Sequence, residues 1–231
     1  MAKRHIKGIA VPKTWNIHRK ENVFVTRPYP GAHSMLYSMP LNLVMKELIK
    51  CAQTTREVRH ILKTKQVLVD GARKGEYKLP VGLMDTISLS DTNEHYRIIL
   101  NTKGKLVAIP ISKEEATFKP CRVMGKTLLG KGRFQLNLSG NRNIIMPSVA
   151  YAVGDTLTIT VPKQEIKQHF RLEKGALIYL ISGKHIGTTG IVEEIAGNRI
   201  RFKAGQDVQE TPKRCVFVIG KEKPVITLLE K

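Results

Sequence analysis

Residues 54–71, TTREVRHILKTKQVLVDG, change their apolar period from helix to strand within one short stretch. From Thr54 to Lys63 the apolar residues Val58, Ile61 and Leu62 gather on one side of a helix turning about 100° per residue. Arg56, Arg59, His60 and Lys63 stand at i, i+3, i+4 and i+7, about 180° away. Thr54 with Glu57 three residues on is a capping box, which starts the helix there. Beyond Gln66 the period shortens: Val67-Leu68-Val69 reads as a strand and Asp70-Gly71 as its turn, with Arg73 and Lys74 just past it. A solvated helix face usually mixes charge signs. A face of four basic-type residues without an acid is suited to phosphates.

Upstream, Leu41, Val44, Met45, Leu48 and Ala52 recur at three-to-four spacing and predict a first helix after Pro40. Downstream, Leu83, Ile87 and Leu89 belong to further strands. Residues 38–92 thus read as a compact module of two short helices, a basic turn and a small sheet.

Residues 1–37 read as an irregular basic arm broken by Pro12, Pro28 and Pro30. Trp15, Phe24, Tyr29 and Tyr37 are interleaved with Lys3, Arg4, Lys7, Lys13, Arg19 and Arg27. Two roles are open to these rings, stacking on bases and anchoring the arm on the next domain. The proline content predicts an arm without fixed structure in the absence of a partner.

Residues 93–172 read as a small β barrel or sandwich. Tyr96, Ile98 and Leu100 alternate with polar neighbours, as do Phe134, Leu136 and Leu138, and Leu157, Ile159 and Val161. Residues 101–104 and 139–141 supply turns, and Ser112 to Glu115 cap one short helix. Lys126, Lys131, Arg133 and Arg142 lie near the turns. Residues 173–231 open with an apolar strand, Ala176–Ile181, and a glycine-rich loop, Ser182–Gly190. After Ile191–Ile195 and a Gly197-Asn198 turn, Ile200 and Phe202 alternate with Arg199, Arg201 and Lys203. That strand has one apolar and one basic face, the latter open to RNA or to water.

The chain carries 39 Lys and Arg against 19 Asp and Glu, a net charge of +20 over 231 residues. The excess is spread: +6 in residues 1–37, +3 in 38–92, +8 in 93–172 and +3 in 173–231. At 42% hydrophobic residues there is enough to build cores, so the charge belongs to folded modules rather than to a tail. A polyphosphate backbone neutralises such modules, and counterion release drives its binding.

Cys51, Cys121 and Cys215 are far apart and form no C-x-x-C pair, which argues against a disulfide framework or a zinc ribbon and fits a reducing cytosol. No signal-peptide core follows Met1, and no stretch nears the roughly 18 apolar residues of a membrane span. A soluble intracellular protein is expected. Gly125-Lys126-Thr127 lacks the earlier glycine of a phosphate-binding loop, since Pro120 stands there. His185-Ile186-Gly187-Thr188 lacks the second histidine and the βαβ setting of a synthetase signature. With no H-E-x-x-H and no Gly-x-Ser-x-Gly, no catalytic residue, metal site or cofactor is expected.

The run His5-Ile6-Lys7…Pro12-Lys13-Thr14-Trp15, followed by Arg27-Pro28…Gly31-Ala32-His33, resembles the opening of the small-subunit ribosomal protein four family of archaeal and eukaryotic type. Val69-Asp70-Gly71 and Pro80-Val81-Gly82-Leu83-Met84-Asp85 are similar to that family's αL-type RNA-binding domain. Asn101-Thr102-Lys103-Gly104 and Glu114-Glu115-Ala116 match its middle domain. Ser182-Gly183-Lys184…Gly187-Thr188-Thr189-Gly190 resembles a KOW loop, and Val216–Lys221 the C-terminal run. The resemblance covers almost the whole chain in one order. The absence of an extended basic C-terminal tail is more like archaeal members than eukaryotic ones.

The resemblance implies an α+β, multi-domain protein: a basic arm (1–37), an αL-type module (38–92), a central β domain (93–172) and a KOW-type SH3-like β-barrel with the C-terminal segment (173–231). It implies a structural constituent of the small ribosomal subunit in the cytoplasm. Its partners would be ribosomal RNA and neighbouring ribosomal proteins, with no membrane, no obligatory homo-oligomer and no catalysis. Carried over by position, the RNA-facing residues are Arg56, Arg59, Lys63, Lys65, Arg73 and Lys74. In the KOW segment they centre on Gly183, Lys184, Gly187 and Gly190, where absent side chains let a partner approach the backbone. An RNA-modifying enzyme gripping RNA through the αL motif would need an Arg-x-Asp motif in a large separate domain, for which there is neither motif nor length. A KOW-containing transcription or translation factor is poorly served, since that segment is only the last quarter of the chain.

Overall fold

The computed structural model describes residues 5–130, 132–147, 150–205 and 207–229. Their contacts group into two units. The first runs to Leu100 and resumes at Gly104–Thr117; the second takes Asn101–Lys103 and the chain from Phe118 onward.

The helix beginning at Leu41 widens into a π turn over Val44–Leu48, closed by Ile49 N–H donating to the Val44 carbonyl at 2.9 Å. The second helix, Thr55–Thr64, has the expected cap. Thr54 Oγ1 accepts from Glu57 N–H at 3.2 Å while the Glu57 carboxylate accepts from Thr54 N–H at 3.4 Å. Val58 and Leu62 are buried, each burial contributing about 1.5–3 kcal/mol. These helices accompany an antiparallel sheet ordered Ala72–Arg73, Val67–Val69, Thr86–Leu89, Glu94–Leu100, Leu106–Pro110.

That order moves a boundary. The strand Glu94–Leu100, expected to open the central domain, pairs with Thr86–Leu89 in the register Ile87 to Tyr96. It carries Leu106–Pro110 with it, so the division expected after residue 92 falls after Thr117 instead. A buried ion pair between Arg97 Nε and Glu115 Oε1, 3.1 Å, fixes the short Glu115–Thr117 helix to this sheet. Glu115 N–H donates to Ser112 Oγ at 3.2 Å, the cap read from the sequence.

The arm is also folded. His5–Lys7 and Phe24–Thr26 form a hairpin. Trp15 is 1% exposed and its Nε1–H donates to the Met35 carbonyl at 3.2 Å; Thr14 Oγ1 donates to Leu36 O at 2.6 Å. Leu106 N–H donates to Thr14 O at 2.7 Å. The prolines prevent long helices, as expected, but a buried indole seats the segment in the first unit.

The second unit contains two antiparallel five-stranded sheets with separate cores. The first is ordered Arg142–Met146, Phe134–Leu138, Phe118–Leu128, Thr156–Thr160, Ile166–Phe170, around Cys121, Val123, Leu136, Leu138, Leu157 and Ile159. The other is ordered Asp207–Pro212, Arg199–Ala204, Thr189–Ala196, Leu177–Leu180, Val216–Gly220. Its core includes Ile178, Leu180, Val192, Ile200, Phe202 and Val218. Buried Arg122 joins them, Nη1 donating to Arg214 O at 2.6 Å and Nη2 to Lys213 O at 3.3 Å.

Two buried aspartates are turn fasteners. Asp85 accepts from Gly82 N–H and pairs with His33 Nε2 at 2.8 Å. Asp155 accepts from the N–H groups of Ala152 and Leu172 and pairs with His169 Nε2 at 2.7 Å.

Candidate nucleic-acid interface

On the helix Thr55–Thr64 the buried Val58–Leu62 side turns Arg56, Arg59, His60 and Lys63 outward, and all four are exposed. The helix's acid, Glu57, is engaged elsewhere. Its carboxylate accepts from the backbone of Gln53 at 2.9 Å and from Thr54, and these hydrogen bonds hold its carboxyl below the ordinary range. It stays an anion aimed at the helix N-terminus, where the dipole favours it, rather than at the basic row.

The turn joins this face through Arg73, whose Nη2 donates to the Lys63 carbonyl at 3.2 Å. Lys74 is exposed beside it. Lys65 is exposed but lies 3.7 Å from Asp91, so part of its charge is answered within the protein. The Arg59 guanidinium stands 4.3 Å from the Tyr77 ring centroid, which fixes its direction. Helix row, helix end and turn thus bring together most of the basic residues expected in the first unit.

In the arm, Lys7 and Lys13 are exposed, while Arg19 is half-buried and donates from Nη2 to the Pro12 carbonyl at 2.9 Å. Of the two roles open to Trp15, burial selects anchoring and removes base stacking. Lys3, Arg4 and Lys131 lie outside the described residues. On the central sheet Lys126 and Arg133 are exposed and Arg142 half-buried.

The glycine-rich loop divides. Gly183, at φ +93°, faces open space beside exposed Lys184. A side chain at Gly187 would enter the Asn101 backbone, and a Cβ on Gly190 would lie 2.6 Å from Phe202 Cδ2 and 2.7 Å from Lys203 O. The expectation that all three let a partner approach is corrected for these two: they admit the chain's own atoms.

Arg199–Ala204 buries Ile200 and Phe202 and exposes Arg199, Arg201 and Lys203, as the alternation predicts. Its outer face is not wholly basic, however. Glu194 and Glu210 lie directly opposite Arg201 on the neighbouring strands. The ion pairs are Arg201 to Glu194 and Arg199 to Glu210, each 3.1 Å. Lys203 forms none among the described residues.

Sequence reasoning missed Lys78 and Arg122. Lys78 is 5% exposed, its ammonium over the rings of Tyr29 at 4.9 Å and Tyr77 at 5.5 Å. The only local signal was the adjacency of Tyr77 and Lys78. Arg122, whose guanidinium burial pushes below its ordinary value, relies on acceptors about ninety residues away. Among the described residues no cluster of three or more His, Cys, Asp or Glu could hold a metal ion, and no helix is long and apolar enough to cross a membrane.

A family model described as Ribosomal family S4e matches residues 92–166, and one described as the RS4NT (NUC023) domain matches 2–36. The small ribosomal subunit protein eS4 of Methanocaldococcus jannaschii is 41% identical over 98% of both chains. The chain belongs to the S4e family of ribosomal proteins. The eS4 protein of Methanosphaera stadtmanae is 37% identical over 99% of this chain and 97% of its own. The crystal structure of the 30S ribosomal protein S4e from Thermoplasma acidophilum superposes with a TM-score of 0.71 at 31% identity, covering 80% of this chain and 96% of that one. These S4e relatives are ribosomal proteins and not enzymes, and the chain shares their class.

Proposed function

We propose that this protein is a structural constituent of the small ribosomal subunit in the cytoplasm, binding ribosomal RNA through several basic surfaces and touching neighbouring ribosomal proteins. The observation that carries the reading is the row of Arg56, Arg59, His60 and Lys63, exposed on a helix whose one acid is engaged in its own cap. We assign the helices and basic turn of the first unit to an αL-type RNA-binding module. The Leu177–Gly220 sheet with its glycine loop is a KOW-type SH3-like barrel. Arm lysines 7 and 13, Lys126, Arg133 and Lys184 are secondary phosphate contacts.

The names of the relatives support the setting, and a net charge of +20 supports the ligand class. Binding to folded small-subunit ribosomal RNA tests it. With six or more phosphate contacts, affinity falls roughly 10³-fold or more between about 50 and 200 mM salt. An affinity indifferent to salt overturns the reading.

A further inference from the structure

Lys78 is a cation that the helix face does not explain. It is 5% exposed, so its ammonium does not reach a phosphate in solution, and among the described residues its partners are ring faces rather than a carboxylate. The nearer ring is that of Tyr29, which meets the Lys78 ammonium over one face and is 50% exposed. Tyr77 in turn lies against Lys78 and under Arg59. A ladder Tyr29–Lys78–Tyr77–Arg59 therefore runs from the arm to the basic helix.

The ladder is fixed by its backbone. Tyr29 N–H donates to Lys78 O at 3.0 Å, and Asn42 N–H to Tyr77 O at 2.9 Å. The Asn42 side chain donates to Thr26 Oγ1 at 2.7 Å and to Thr55 Oγ1 at 3.2 Å, tying arm and helix to the same point. Rings and cations are thus held in place before any ligand arrives, which lowers the ordering cost of binding.

We propose that the open face of Tyr29 is a stacking site for one unpaired purine of RNA, with Lys78 as the positioning cation behind it. This rests on the reading of the protein as an RNA binder. A cation over one face of an aromatic ring draws on its π density, so the opposite face becomes a better partner for an electron-rich base. Purines offer the larger such surface. Bases within a duplex present edges, whereas an unpaired base presents its face to an aromatic side chain. The helix row holds phosphates, and Tyr29 distinguishes a single-stranded nucleotide beside them.

The test uses the full chain and two RNA hairpins of one sequence. One ends blunt, and the other carries a short 3′ extension with 2-aminopurine, a fluorescent purine. We expect the fluorescence of the extended hairpin to be quenched on binding. Tyr29→Ala should weaken that hairpin by about ten-fold, within the ~5–150-fold cost of losing one stacked base, and leave the blunt one unchanged. Tyr29→Phe keeps the ring and should restore binding; Lys78→Met keeps bulk without charge and should reduce the quench. Unchanged fluorescence, or equal effects of Tyr29→Ala on both hairpins, overturns the stacking site while salt-dependent binding stands. If the wild-type chain binds neither hairpin, the RNA-binding reading fails with it.

Discussion

The helix Thr55–Thr64 and the strand Arg199–Ala204 look alike in sequence, each with one apolar side and one basic side. In the folded protein they differ. Four basic-type residues stay exposed on the helix and Glu57 is withdrawn into the cap. On the strand, two of three cations are answered by Glu194 and Glu210 from the strands on either side. The neighbours on a helix face are residues three and four away in the same segment, so the segment carries its own charge balance. A strand face is completed by cross-strand partners, chosen by register. Basic alternation alone is therefore weaker evidence of an anion site than a basic helix row.

The sharpest way to break this contrast is charge reversal. Arg56→Glu, Arg59→Glu and Lys63→Glu together should lower affinity for small-subunit ribosomal RNA by about 10³-fold or more. They should also cut the salt slope by roughly 2–3, one unit for each lost phosphate contact. The same reversal at Arg199, Arg201 and Lys203 should cost less than about ten-fold; equal losses in a filter-binding titration would end the distinction.

Next is Gly190→Ala, which forces a methyl toward Phe202 and the Lys203 carbonyl. We expect about 1–3 kcal/mol of destabilisation in urea unfolding, as for overpacking elsewhere, with the RNA salt slope unchanged. A changed slope at full stability would return Gly190 to the interface. Glu194→Gln with Glu210→Gln should release the strand arginines and raise affinity two- to five-fold at low salt, since exposed ion pairs are worth about 0–1 kcal/mol each. No gain would mean that this face is turned away from RNA.

The smallest effects are at the helix cap. Thr54→Ala should cost about 1 kcal/mol, read as a lower urea midpoint. Because hydrogen bonds lower the Glu57 pKa in the folded chain, its charge stabilises fully above the ordinary value of 4.5 and loses that contribution as pH falls through the folded value. The difference between wild type and Glu57→Gln should shrink on acidification; a gap constant with pH would exclude the charge.

What the sequence made legible was local. The capping box at Thr54, the Ser112 hydroxyl cap on Glu115 N–H, the period change at Gln66 and the alternation through Phe202 all depend on residues within a few positions. The boundary after Thr117 was hidden because Glu94–Leu100 reads as a strand whichever sheet it joins, and the Thr86–Leu89 pairing alone decides. Trp15 reads equally as anchor or stacking platform until the Met35 carbonyl is seen against it. Gly187 resembles a loop glycine because its crowding comes from Asn101, far upstream. Lys78 and Arg122 were silent for the same reason.

Arg122 also bears on when the protein can finish folding. Its guanidinium waits for two carbonyls, at 213 and 214, that leave the ribosome late. At about 5–20 residues per second of synthesis, the emerging strand Phe118–Leu128 holds this cation without those acceptors for roughly 5–20 s. The residues of the first unit all precede Phe118. A growing chain thus has its whole basic helix row synthesised while the acceptors of Arg122 are still to come.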